Sequence, residues 1–171
     1  MDSKEFAKFA MALKTYFPRE SVLNNNAAME LWYEQLKDIP YKVAYTFLSK
    51  WVSTEKWAPT IADIRGGCSE LTQGAIEDWG HGWEQVERAI RVYGMYRIEE
   101  AYESMDEITR TVAKRLGFQN ICMSDNIQAD RANFRMIYEE VANRKKLDRQ
   151  LNPETKRIMT EKILMIENNI N

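Results

Sequence analysis

The chain has 171 residues, with 24 Lys and Arg against 26 Asp and Glu, one His and two Cys. That length suits one domain or two small ones of roughly 50–200 residues, and a net charge of −2 is not that of a general nucleic-acid coat. A single His81 cannot build a two-His zinc site, Cys68 and Cys122 form no C-x-x-C, and no apolar run approaches the ~20 residues of a membrane span. With the opening Met1-Asp2-Ser3-Lys4-Glu5 unlike a signal peptide, the expectation is a soluble, cytosolic protein with reduced thiols.

Seven Gly and four Pro are few for this length, which points to helices with short connections. Asp2 and Glu5 have the spacing of a capping box, and Phe6, Phe9, Ala10, Leu13 and Phe17 recur at helical period. Pro18 stops this helix by pushing its predecessor out of the α region. Asn24-Asn25-Asn26 offers N-caps for a second helix bearing Ala28, Leu31, Trp32 and Leu36. Asp38-Ile39-Pro40 breaks the chain before a third, with Ala44, Phe47, Leu48 and Trp51, and Thr60 with Asp63 starts a fourth. The periodic stripes read as core faces of a small bundle over residues 1–66. Trp57, ahead of Ala58-Pro59, is expected to fold onto the bundle as a hydrophobic staple; an exposed indole there would instead be a partner anchor.

Five of the seven glycines (Gly66, Gly67, Gly74, Gly80, Gly82) crowd one short window, read as a flexible linker over residues 67–82 in which the fourth helix frays near Leu71. His81 between two of them is expected to be an exposed loop residue, since no nucleophile or carboxylate arrangement supports a triad.

From Trp83 the helical period resumes, and residues 83–171 read as a second helical domain. Val86, Ala89, Ile90 and Tyr93 lead to Gly94 as a C-terminal stop, and a short helix spans about residues 97–104. Asp106 caps a helix that Gly117 closes, with Phe118 placed for a Schellman contact. Ser124 or Asp125 caps a longer helix carrying Ile127, Phe134, Ile137, Tyr138 and Val141. Asn152-Pro153-Glu154 then starts a last helix with Ile158, Met159, Ile163, Ile166 and Ile170. Its stripe of Ile158, Ile163 and Ile166 is expected to fold back on the second domain, the alternative being an amphipathic segment that docks in a partner's groove.

Charge is uneven along the chain: residues 77–110 carry nine acids against four bases, and residues 111–171 eleven bases against eight acids. The basic cluster comprises Arg144, Lys145, Lys146, Arg149, Lys156 and Arg157. It reads first as a solvated helix face and second as a contact for nucleic acid or an acidic partner. No P-loop, G-x-S-x-G, H-E-x-x-H or EF-hand loop occurs, and no cofactor motif is present. Glu99/Glu100 and Glu139/Glu140 are sequence neighbours that diverge by about 100° on a helix, so neither is an acid/base dyad. The reading is of an all-α binding protein, not an enzyme.

The order of these signals resembles the replicative-helicase loader/inhibitor proteins of phages of Gram-positive bacteria. The likeness rests on Tyr16-Phe17-Pro18, Glu30-Leu31-Trp32-Tyr33, Leu36-Lys37-Asp38-Ile39-Pro40 and Trp57-Ala58-Pro59-Thr60-Ile61-Ala62-Asp63-Ile64-Arg65. It continues through Gly82-Trp83-Glu84-Gln85-Val86, Leu116-Gly117 and Arg131-Ala132-Asn133-Phe134, to about residue 146. The resemblance implies a non-enzymatic replication factor in the host cytoplasm that holds a DnaB-type hexameric helicase and passes it to a replication initiator. DNA contact would be indirect or weak. The rival reading is a DNA-binding accessory or initiator protein that uses the basic carboxy-terminal helices. Partner-contact candidates are Trp57, Arg144, Lys145, Lys146, Arg149, Ile158, Ile163 and Ile166.

Overall fold

A computed structural model describes residues 1–20 and 22–170, and side chains for all of these except residues 164 and 166–170. The described residues form ten helices and no strand: α1 (Ser3–Tyr16), α2 (Asn26–Leu36), α3 (Tyr41–Thr54), α4 (Ile61–Gln73), α5 (Trp79–Tyr93), α6 (Ile98–Glu103), α7 (Glu107–Leu116), α8 (Phe118–Met123), α9 (Ile127–Gln150) and α10 (Pro153–Ile170). The fold is all-α. The chain divides into one unit of Met1–Ala75 with Leu147–Asn171, and another of Ile76–Lys146.

In the first unit the caps explain where the helices start. Asp2 Oδ1 accepts from Glu5 N–H at 2.8 Å while Glu5 Oε2 accepts from Asp2 N–H at 3.0 Å, so two otherwise orphaned amides are satisfied reciprocally. Thr60 and Asp63 repeat the device at α4, and Asn25 caps α2 through Ala28 N–H at 2.8 Å. Phe6, Phe9, Leu13, Leu36, Leu48 and Ile64 bury almost completely at the meeting of α1 to α4. Truncating any one aromatic of such a core to Ala costs about 3–5 kcal/mol through lost transfer energy and the cavity left behind.

The second unit is built around Trp83, Val86, Val112, Phe118, Phe134 and Tyr138. Trp83 meets Phe134 edge-on with ring centroids 5.4 Å apart, and its indole N–H donates to Glu87 Oε1 at 2.7 Å. Asp106 caps α7 as expected, accepting from Thr109 N–H at 2.8 Å. Gly94 and Gly117 end their helices with φ of 61° and 80°, where a side chain would be strained. The cap of α9 is Asn126, which accepts from Ala129 N–H at 3.1 Å, in place of Ser124 or Asp125. The turn of α8 after Gly117 has no counterpart in the sequence reading.

Two organisational expectations differ from the structure. Residues 67–82 are mostly helix: α4 runs through Gly66 and Gly67 to Gln73, and α5 contains Gly80 and Gly82. Two of these glycines serve close packing. A Cβ on Gly67 would lie 2.2 Å from the Phe47 ring, and one on Gly82 would lie 2.5 Å from the Tyr138 ring. Only Gly74 has a turn conformation, ending α4 with φ of 80°. His81 is exposed as expected but lies in the first turn of α5, its N–H held by the Asp78 cap at 3.0 Å.

The second difference is that the carboxy-terminal segment groups with the amino-terminal helices, where a single 83–171 domain was expected. The anchors are polar and specific. Arg65 Nε donates to the Gln150 carbonyl, and Asn152 Nδ2 donates to Gln35 Oε1 at 2.8 Å. Hydrophobic period cannot show such contacts.

Candidate partner-binding surfaces

Trp57 sits in the turn between α3 and α4, and its indole is 72% exposed. The backbone beneath it is held: its carbonyl accepts from Trp51 Nε1–H at 2.8 Å, and Ala58 N–H donates to Glu20 Oε1 at 2.8 Å. Pro59, two residues further on, is buried. The staple expectation is therefore corrected. Trp57 is a large apolar side chain held outward on an ordered turn, the form in which an indole serves as an anchor.

The basic cluster does not form one free patch. Arg144 Nη2 donates to Glu140 Oε1 at 3.1 Å, one helical turn back on α9. Lys145 pairs with Glu107, Lys156 with Asp148 at 2.9 Å, and Arg157 with Glu161 at 3.5 Å. Lys146 is exposed. Arg149 turns inward, with Nη1 donating to the Gly74 carbonyl at 3.1 Å. The eleven-to-eight charge balance is thus largely answered locally, which the count along the chain could not reveal.

In α10 the cap is as expected, with Asn152 Oδ1 accepting from Thr155 N–H at 2.7 Å and Pro153 in the first helical position. Its apolar stripe does not become core: Ile158 is 41% exposed and Ile163 53%, and neither joins a buried cluster. The expectation that these residues fold back on the second domain is corrected. The side chain of Ile166 lies outside the described residues.

One arrangement that sequence reasoning missed lies in the first unit. Arg65 is buried on α4 and makes a paired contact with Asp38, Nη1 to Oδ1 at 2.8 Å and Nη2 to Oδ2 at 2.9 Å. Nη1 also donates to the Gln35 carbonyl at 2.6 Å. Burial alone would raise the Asp38 carboxyl, but the hydrogen bonds and charge of Arg65 prevail and hold it below its ordinary value. The available signal was Arg65 itself, an ionised residue at helical spacing from Ile61 and Cys68.

Among the described residues no three His, Cys, Asp or Glu side chains gather where they could hold a metal ion. Burial pushes the Cys68 thiol up to about 12, which leaves it protonated and unreactive as a nucleophile at neutral pH. No described helix is long and apolar enough to cross a membrane.

These features define an all-helical protein with an anchored, outward-facing indole and an uncovered apolar helix stripe. Residues 1–65 of the 171 are similar to the family model for the N-terminal domain of the helicase loader/inhibitor of phage SPP1. No curated protein and no solved structure matches the chain. The matched stretch covers α1 to α3 and the start of α4 and ends at Arg65, whereas the likeness read from the sequence extends to about residue 146.

Proposed function

We propose that this protein is a non-enzymatic phage DNA-replication factor that binds a hexameric DnaB-type replicative helicase, restrains it and loads it at the replication origin in the host cytoplasm. A phage replication initiator is the second partner, and contact with DNA is indirect or weak. The observation that carries this reading is the match of residues 1–65 to the amino-terminal domain of the phage helicase loader/inhibitor family. The outward Trp57 and the uncovered α10 stripe support it, because both are large apolar groups of the kind that anchor protein interfaces.

The mechanism is differential binding. A factor without an ATPase motif changes the helicase ring only by holding one of its conformations more tightly than another, and each ~1.4 kcal/mol of preference shifts the ratio tenfold. Mixing the purified protein with its hexameric helicase and measuring mass by light scattering after size exclusion tests the reading. A stable complex is expected at micromolar concentration, and two separate peaks would sink it.

The rival DNA-binding reading has less support. Arg144, Lys145, Lys156 and Arg157 each already face a carboxylate, so each phosphate contact would first have to displace an ion pair. It predicts DNA affinity that falls steeply with salt.

A further inference from the structure

We propose that a cleft in the first unit, lined by Asp38, Arg65, Ser69, Thr72, Gln73 and Arg149, is a binding site for a carboxylate group. The cleft has a volume of about 220 Å³ and opens to solvent. Water occupies ≈ 30 Å³ in the liquid, so the space takes a carboxylate with its attached carbon and some water besides.

Two polar groups of this cleft lack a partner. Ser69 is 9% exposed and its hydroxyl makes no hydrogen bond, and the buried Arg149 Nε–H likewise has none. Most buried polar groups in proteins are satisfied, and a buried donor left unpaired forfeits about 1–3 kcal/mol. The other polar groups are engaged. Arg65 spends its nitrogens on Asp38, Gln35 and Gln150, Arg149 Nη1 is on Gly74, and the Thr72 hydroxyl donates to the backbone of its own helix. Arg149 Nε–H can only donate and the Ser69 hydroxyl can donate or accept, so an added acceptor is the group that satisfies both.

Charge selects among acceptors. Arg65 and Arg149 against Asp38 leave the lining one positive charge in excess, which one carboxylate neutralises. A phosphate dianion would overfill it, with the Asp38 carboxylate adding repulsion. Arg149 Nε–H and Ser69 O–H then supply one donor to each carboxylate oxygen. Access requires a rotamer change at the rim, where Thr72 and Gln73 are exposed. A free small carboxylate and the side chain of a Glu or Asp on another protein present the same group to this site, so acetate and a glutamate peptide capped at both ends serve as separate probes.

The test is an NMR titration of the full chain at constant ionic strength, following the Arg149 side-chain N–H and the Ser69 amide. Acetate is expected to move both signals saturably where chloride does not. Ser69→Ala should weaken binding several-fold, and Arg149→Lys, which keeps the charge but removes Nε–H, roughly tenfold or more. Saturation by the capped peptide as well assigns the site to a protein-borne carboxylate, and saturation by acetate alone assigns it to a free one. A linear response equal to that of chloride, tighter binding of inorganic phosphate, or binding unchanged in the well-folded Ser69→Ala variant would overturn the proposal. None of these readings involves the helicase, so the site stands or falls apart from the proposed function.

Discussion

The Arg65 guanidinium grips the Asp38 carboxylate in a two-point contact while its remaining donors reach backbone carbonyls of Gln35 and Gln150. One buried side chain on α4 therefore ties the turn after α2 to the end of α9 within the first unit. A planar guanidinium suits this because its donors are fixed in a fork, which the point charge of a lysine cannot reproduce.

Asp38→Asn leaves Arg65 charged and short of its partner in a buried position. The expected loss is about 3 kcal/mol, the lower end of the range for breaking a buried pair, because Asp38 keeps some contact with water. Arg65→Lys should lose nearly as much. Chemical denaturation measures both, and a change below about 0.5 kcal/mol would show the contact to be incidental.

Acid should weaken the fold through Asp38 and Asp106. Burial would raise both carboxyls, but Arg65 on Asp38, and the Thr109 amide with Gln85 and the Thr109 hydroxyl on Asp106, hold them below their ordinary value. A carboxyl depressed in the folded state contributes stability fully above its unfolded pKa of about 3.9 and loses it as pH falls through the folded value. Melting temperatures should thus drop on acidification below about pH 4. Asp106→Asn keeps a capping side chain and should flatten that dependence.

Gly67→Ala and Gly82→Ala should each destabilise by about 1–3 kcal/mol, since the added methyl collides with the Phe47 and Tyr138 rings respectively. In a flexible linker the same substitutions would be neutral or stabilising by about 0.4–1 kcal/mol. The sign of the change in thermal melts separates a packing glycine from a hinge glycine.

Trp57→Ala should leave stability within about 0.5 kcal/mol, because the indole is exposed and the turn is held by backbone contacts. Under the proposed function the same variant should lower helicase affinity at least tenfold, read by titration calorimetry. Equal affinity for both proteins would remove Trp57 from the interface.

Ile158→Asp with Ile163→Asp places charges on an uncovered stripe, so circular dichroism should report an unchanged melt. Loss of helicase binding in this folded variant is the expected result if α10 docks on the partner. A collapse of the melt would show that the stripe is core after all.

How much was legible follows from the range of each signal. Asp2/Glu5, Asn25, Thr60/Asp63, Asp106 and Asn152 act within one helical turn, so helix starts could be read from adjacent residues. The buried faces of α1 and α3 were legible because period reports which side of a helix is apolar. Trp57 and Ile163 were misplaced because apolar character alone does not say whether a neighbour covers it.

By itself the sequence determined an all-helical chain, its punctuation by caps and prolines, and the likeness of its amino-terminal helices to a phage helicase-loader domain. Tertiary structure decided what the glycines do, which charges are spent on ion pairs, and that residues 147–171 join the first unit. Several of the deciding contacts join residues far apart in the chain: Gly67 with Phe47, Lys145 with Glu107, Arg65 with Gln150. Local propensity acts over a few residues, whereas van der Waals contact and hydrogen bonding act on whatever folding brings within a few ångströms.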